Sequence, residues 1–124
     1  MTGVGTRQAE VEELPDVLNV LDAAALRVDA DELKRRLDEG DVLVAATEGR
    51  VLGTLVLDGN RIVAVAVRRS RRGQGIGTAL VETAADRHTR LVAEFDAGVR
   101  PFWESVGFRI EPAAEPGRYR GVLP

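Results

Sequence analysis

Cysteine is absent from the sequence. That excludes disulfides, thiolate metal sites and a cysteine nucleophile. Histidine occurs once, at His88, which excludes a multi-histidine metal centre and leaves no metal site to expect. Tryptophan and tyrosine also occur once each, as Trp103 and Tyr119. No apolar run approaches the ~18 residues of a membrane span, and the N-terminus lacks a signal-peptide core. The expectation is a soluble, cytoplasmic protein with no membrane partner. Lysine is nearly missing too, with Lys34 standing against sixteen arginines.

What is present suits one packed domain over residues 1–124. The chain is 44% hydrophobic and 30% charged, a balance that supports a core and argues against disorder. Its net charge is −3. Four arginines, Arg68, Arg69, Arg71 and Arg72, fall close together, so the basic character is local and the rest of the body is more acidic. A nucleic-acid-binding domain spreads positive charge over a face and is basic overall. No nucleic-acid partner is therefore expected; that alternative would show as salt-sensitive affinity for DNA or RNA.

Residues 1–6 read as loose, and Arg7–Val11 as a short first strand. Leu14, Val17, Leu18 and Leu21 recur at helical spacing, with Pro15 in the first turn. Asp29, with Glu32 three residues on, resembles a capping box. It starts a second helix that carries Leu33 and Leu37 and stops at Gly40. Three apolar runs follow, Asp41–Thr47, Val51–Leu57 and Arg61–Val67. Glu48-Gly49-Arg50 and Asp58-Gly59-Asn60 separate them, which predicts an antiparallel meander. A helix is expected from Ile76 to about His88, then a strand over Arg90–Asp96. A short helix over Val99–Val106 closes at Gly107. Phe108–Pro112 is extended, and Arg118–Leu123 reads as a last edge strand. The order is mixed α/β (α+β), a meander followed by a strand–helix–strand crossover.

The stretch "RRSRRGQGIGTAL" (Arg68–Leu80) joins a strand to a helix. The N–H groups of a helix's first turn lack intrahelical partners and, with the helix dipole, favour an anion. Gly73, Gly75 and Gly77 remove side chains that would keep a phosphate from the backbone. Arg72 adds a charged donor and Thr78 a hydroxyl. Two nucleotide motifs fail against this stretch. The P-loop requires Lys after its last glycine, where Thr78 stands here. The dinucleotide fingerprint requires G-x-G-x-x-G, where this chain has G-x-G-x-G.

The pattern that fits is Arg-x-x-Gly-x-Gly, here Arg72-Gly73-Gln74-Gly75-Ile76-Gly77. At this point the chain resembles the GNAT family of acyl-CoA-dependent N-acyltransferases. The resemblance covers roughly Val42 to Phe108. "VRRSRRGQGIGTAL" is similar to the family's V-x-P-x-Y-R-G-x-G-I-G-x-x-L, and "FWESVGF" (Phe102–Phe108) to its F-Y-E-x-x-G-F. The resemblance implies a GNAT-like fold: a mixed six- or seven-stranded sheet, splayed between Arg61–Val67 and Arg90–Asp96 and flanked by about four helices. It implies acetyl-CoA as cosubstrate. Its pantetheine arm would contact the main chain of Val65, Ala66 and Val67. Its pyrophosphate would lie on Arg72, Gly73, Gln74, Gly75, Ile76, Gly77 and Thr78. The primary amine of a small molecule or amino acid would attack the thioester directly, without an acyl-enzyme. It also implies a homodimer supported by the last strand.

The chain departs from the family pattern at several positions. Trp103 stands where the family commonly places a tyrosine that protonates the departing thiolate. Asp96 stands where an asparagine is common. It is open to two readings, an orienter or base for the amine and a turn residue at the strand's end. Glu94 shares Asp96's strand face by period-two alternation; it is a candidate base if that face lines the splay, and otherwise a solvated carboxylate. Arg69 replaces a proline and Arg71 an aromatic; Arg68, Arg69 and Arg71 are surface charge or a contact to the cofactor's nucleotide end. The strand Arg61–Val67 carries no carboxylate or histidine. His88 and Asp58 read as structural, and Tyr119 as edge-strand packing. Trp103 and the missing evident base also leave open a non-catalytic acyl-CoA-binding or regulatory domain.

Overall fold

The computed structural model describes residues 3–124. The meander forms where the apolar runs predict it, as β2 (Val42–Thr47), β3 (Arg50–Asp58) and β4 (Arg61–Val67). Glu48 and Gly49 turn the first hairpin with φ of 50° and 76°, the positive values that match the twist of paired strands. Ahead of the meander, β1 (Gly5–Gln8) pairs antiparallel with β2. The strand thus starts earlier than the sequence suggested and ends before a 3-10 turn at Val11–Glu13. Of the N-terminal stretch read as loose, Gly5 and Thr6 belong to β1, and residues 1 and 2 lie outside the described residues.

Helices α1 (Leu14–Ala23) and α2 (Ala30–Asp38) cover one face of β2, β3 and β4. Val17, Val20 and Leu21 of α1 and Leu33 of α2 are fully buried there, at helical spacing. The Asp29 carboxylate accepts from Glu32 N at 3.3 Å. The reciprocal half of the expected capping box is missing, because Glu32 reaches forward to Arg36 instead. On the other face lies α3 (Ile76–Asp86). Gly53 makes this packing possible: a Cβ there would stand 3.0 Å from Ile76 Cγ2 and 3.1 Å from Ala66 O.

After α3 come β5 (Leu91–Asp96), α4 (Arg100–Ser105), β6 (Arg109–Pro112) and β7 (Arg118–Leu123). The seven strands run in the order β1-β2-β3-β4-β5-β7-β6. Arg118–Leu123 is therefore no edge strand. It inserts between β5 and β6, antiparallel to both, and leaves β6 as the outer edge. Local hydrophobic pattern does not encode strand order, which long-range pairing decides. The last strand thus offers no free edge to a second copy.

β4 and β5 are parallel and pair only at Arg61 with Val92 and Ile62 with Ala93. Past those pairs the strands diverge, and this splay is the feature that positions the site. A bulge begins it. Val56 opposes Ala64 while Leu57 opposes Ile62, which leaves Val63 as the extra residue. The bulge reverses the alternation of β4. Ile62 faces the α3 core, whereas Ala64 and Ala66 face α1.

Candidate active site

The splay and the glycine turn open into one cavity of about 760 Å³. Most of the expected binding residues line it: Val65, Ala66, Val67, Arg72, Gly73, Gly75, Ile76, Gly77 and Thr78. Gln74, which is exposed, does not. Alternation in the β3–β4 ladder sorts the backbone groups. Arg68 N donates to Leu52 O, which commits Ala66 to its partner Thr54 by period two. Val65 and Val67 then face the gap. The Val67 carbonyl already accepts from Arg72 Nε at 3.1 Å. The main-chain groups of Val65 and the N–H of Val67 are thus left open, whereas Ala66, expected to offer a main-chain contact as well, is committed to the ladder.

The turn between β4 and α3 adopts the form that an anion site requires. Gly73 and Gly75 have φ of 75° and 80°, with nothing within 4 Å of where a Cβ would stand. Gly75 caps α3, and Ala79 N is the first to bond back, to Gly75 O at 3.0 Å. The N–H groups of Gly75, Ile76, Gly77 and Thr78 donate to no backbone carbonyl. Gly77 serves a different purpose: its missing Cβ admits the Phe102 ring, at 3.1 Å. This open bed of unpaired donors fits a pyrophosphate.

The arginine cluster divides by partner. Arg68 is structural, with Nε on Val51 O at 2.7 Å. Arg69 is exposed and lines nothing. Arg71 lines the cavity, and its Nε is buried without a hydrogen-bond partner, the one such side-chain atom among the described residues.

At the opposite end, Glu94 and Asp96 line the same cavity with Arg118. Asp96 accepts from Arg118 Nη1 at 2.8 Å, and the hydrogen bond with Asp96 raises the affinity of Arg118 for its proton. Glu94 lies opposite Arg120 in the β5–β7 ladder, but Arg120 turns to Glu111 at 3.6 Å. Glu94 therefore has no ion pair or hydrogen bond among the described residues. Ala24, Leu26, Val63 and Val99 add apolar wall on this side. No local signal marked these four or Arg118, which tertiary folding brings together. His88 and Tyr119 lie outside the cavity wall. Tyr119 stacks on Phe95 at 6.4 Å with Arg100 over its ring at 5.0 Å. Asp58 ion-pairs with Arg36 at 3.4 Å.

Comparison with known proteins bears on the family and the fold. The family described as Acetyltransferase (GNAT) domain matches residues 38–110. The chain belongs to the GNAT acetyltransferase family. Among curated protein sequences none matches it. Solved structures match its fold. An acetyltransferase of the GNAT family from Bacillus cereus superposes with a TM-score of 0.79 at 14% identity, over 97% of this chain and 94% of that one. Rv2747 from Mycobacterium tuberculosis, solved in complex with CoA, gives 0.81 at 18%, over 96% and 98%. N-acetylglutamate synthase from Neisseria gonorrhoeae, complexed with coenzyme A and N-acetyl-glutamate, gives 0.81 at 16%, over 98% of this chain and 35% of that one. Among the described residues no group of potential ligands could hold a metal ion, and no helix is long and apolar enough to cross a membrane.

Within this GNAT domain Trp103 sits deep in an aromatic cluster. It stacks on Phe95 at 5.4 Å and meets Phe102 and Phe108 edge-on at 5.1 and 5.0 Å. It is 7% exposed, and part of it reaches the cavity wall. The ring thus holds α4 against β5, while Phe102 packs on Gly77 of the cradle that the glycine turn forms.

Proposed function

We propose that this protein transfers the acetyl group of acetyl-CoA to the primary amine of a small molecule. The supporting observation is the single cavity that joins an unpaired stretch of β4 to a bed of unpaired N–H groups. It suits a ligand with a peptide-like arm and a pyrophosphate. The arm would pair with the Val65 backbone as an added strand does. The pyrophosphate would take the N–H groups of Gly75 to Thr78, with Arg71 and Arg72 beside it. Arg71 then gains the acceptor its buried Nε lacks.

The acetyl thioester would lie in the splay, with Glu94 and Asp96 beyond it. The amine nitrogen attacks the thioester carbonyl carbon. The C–N bond forms, the C–S bond breaks, and the thiolate leaves on coenzyme A. Glu94, the carboxylate free of hydrogen bonds and ion pairs among the described residues, takes the proton from the amine, while Asp96 is held by Arg118. Trp103 supplies a hydrogen-bond donor but no titratable proton. The thiolate, whose conjugate acid has a pKa near ~8.5, is protonated from water. Loss of a general acid of this kind costs roughly 10²–10⁴-fold, so the enzyme is slow.

Trp103 also favours a second reading, a GNAT-like domain that binds acyl-CoA without turnover. One experiment separates them: calorimetry with acetyl-CoA, then thiol release in the presence of a broad set of amines. Binding with turnover supports the transferase. Binding without turnover supports the second reading. Absence of binding at millimolar acetyl-CoA overturns both.

A further inference from the structure

The acceptor end of the cavity presents two opposite charges with unused bonding capacity. Glu94 makes no hydrogen bond or ion pair among the described residues, and its charge acts on Arg118 only through space. Arg118 spends one nitrogen, Nη1, on Asp96; its Nε and Nη2 make no hydrogen bond among the described residues. The Arg118–Asp96 pair is itself exposed, with side chains 36% and 75% accessible. Pairs of that kind are weakly held and exchange readily. A guanidinium offers five donors in a planar fork, so Arg118 can keep Asp96 and still grip a second carboxylate.

Position supplies the distance. Glu94 on β5 faces Arg120 on β7, and Arg118 is two residues away. Such diagonal neighbours sit about 7–8 Å apart. Both side chains line the same cavity, so a small head group with one positive and one negative centre can meet both from within it. Ala24, Leu26, Val63 and Val99 line the same cavity, and Val63 and Val99 are 42% and 50% exposed with apolar side chains.

We infer that the acceptor is an α-amino acid with an apolar side chain, its carboxylate held by Arg118 and its amine presented to Glu94. This rests on the transferase reading above. A polyamine would meet repulsion at Arg118. A plain alkylamine or an amino-acid amide would leave the free edge of the fork without its anion. The product is the N-acetyl amino acid, with coenzyme A released as the free thiol.

The test compares L-leucine, L-leucinamide, isopentylamine and spermidine with the wild-type protein and with R118Q and R118K. Acetyl-CoA binding and thermal melting are followed alongside. The leucinamide amine is less basic than that of leucine, so chemistry alone favours the amide at neutral pH. The wild type is expected to prefer leucine over leucinamide at least tenfold in kcat/KM. R118Q is expected to shrink that ratio to about two or less, chiefly through KM for leucine, and R118K to restore part of it. The inference is overturned if the amide, the alkylamine or spermidine matches leucine in the wild type. It is equally overturned if R118Q lowers leucine and leucinamide alike. A protein that binds acetyl-CoA yet acetylates none of the four also overturns it. Absence of acetyl-CoA binding removes the underlying transferase reading as well.

Discussion

Gly75 and Gly49 form a matched pair for measuring what the cradle contributes. Their φ values are 80° and 76°, and neither has any atom within 4 Å of its missing Cβ. Gly75→Ala and Gly49→Ala should therefore carry the same folding cost, that of placing an L residue in the left-handed region, about 1 kcal/mol. For a chain of 124 residues this lowers Tm by about 4 °C. Only Gly75 stands among the unpaired N–H groups that begin α3. A methyl there occupies the space a phosphate oxygen would fill and removes one charge-assisted hydrogen bond, worth about 1.5–3 kcal/mol. Acetyl-CoA affinity should fall about 10- to 100-fold in Gly75→Ala and stay unchanged in Gly49→Ala. Differential scanning calorimetry and isothermal titration read the two quantities separately. Equal acetyl-CoA affinity in the two variants would refute the assignment of the pyrophosphate to this turn.

Glu94→Gln should lower kcat by about 10²-fold while leaving the Kd for acetyl-CoA within twofold, because the residue faces the acceptor and not the cofactor; an unchanged kcat assigns the proton to water. Trp103→Tyr should raise kcat at least about tenfold in a thiol-release assay, by placing a phenol where the leaving thiolate departs, at a small loss of Tm from the lost ring volume. Glu13 takes two hydrogen bonds from Arg7, at 2.7 and 2.8 Å, and one from Glu10 N at 2.9 Å. Its carboxyl is held below the usual range, first by the Arg7 side chain. A depressed folded pKa gives stability that is complete above the unfolded pKa, about 4.3, and is lost as pH falls through the lower folded value. Glu13→Gln should cost about 1 kcal/mol at pH 7 and nothing once both forms are protonated, as measured by denaturant unfolding across pH.

The parts of the fold legible in the sequence are those that depend on neighbours in the chain. The β4 run Arg61–Val67 and the β7 run Arg118–Leu123 are bounded by turn residues and appear with those limits. The start of α3 at Ile76 follows from the glycines before it. The cradle was legible for the same reason, since a turn and its helix form one contiguous segment. The place of β7 between β5 and β6 was not, because Phe95 and Tyr119 meet through pairing of segments far apart in the chain. The bulge at Val63 was also hidden. "RIVAVAV" alternates evenly on paper, and only pairing with β3 shows that Ile62 and Ala64 face opposite cores. The division of the arginines depended on carbonyls from other strands: Val51 O claims Arg68, whereas nothing claims Arg71 Nε. The part of the cavity wall made by Leu26, Val63, Val99 and Arg118 was the least legible, because these residues come from four separate parts of the chain.

The two-pair contact between β4 and β5 has a consequence for how the molecule holds together. Most sheets keep their unpaired strands at the perimeter, where they risk sticking to other chains. This one keeps a second set inside, along the wedge where β4 and β5 part. Two half-sheets are joined by a short seam, and what fills the wedge becomes the mortar between them. Cohesion then follows mass action: at a hundred times Kd a ligand specific to the folded state adds about 2.7 kcal/mol. A cosubstrate bound in the wedge would thus add to the stability of this protein as well as feed its reaction.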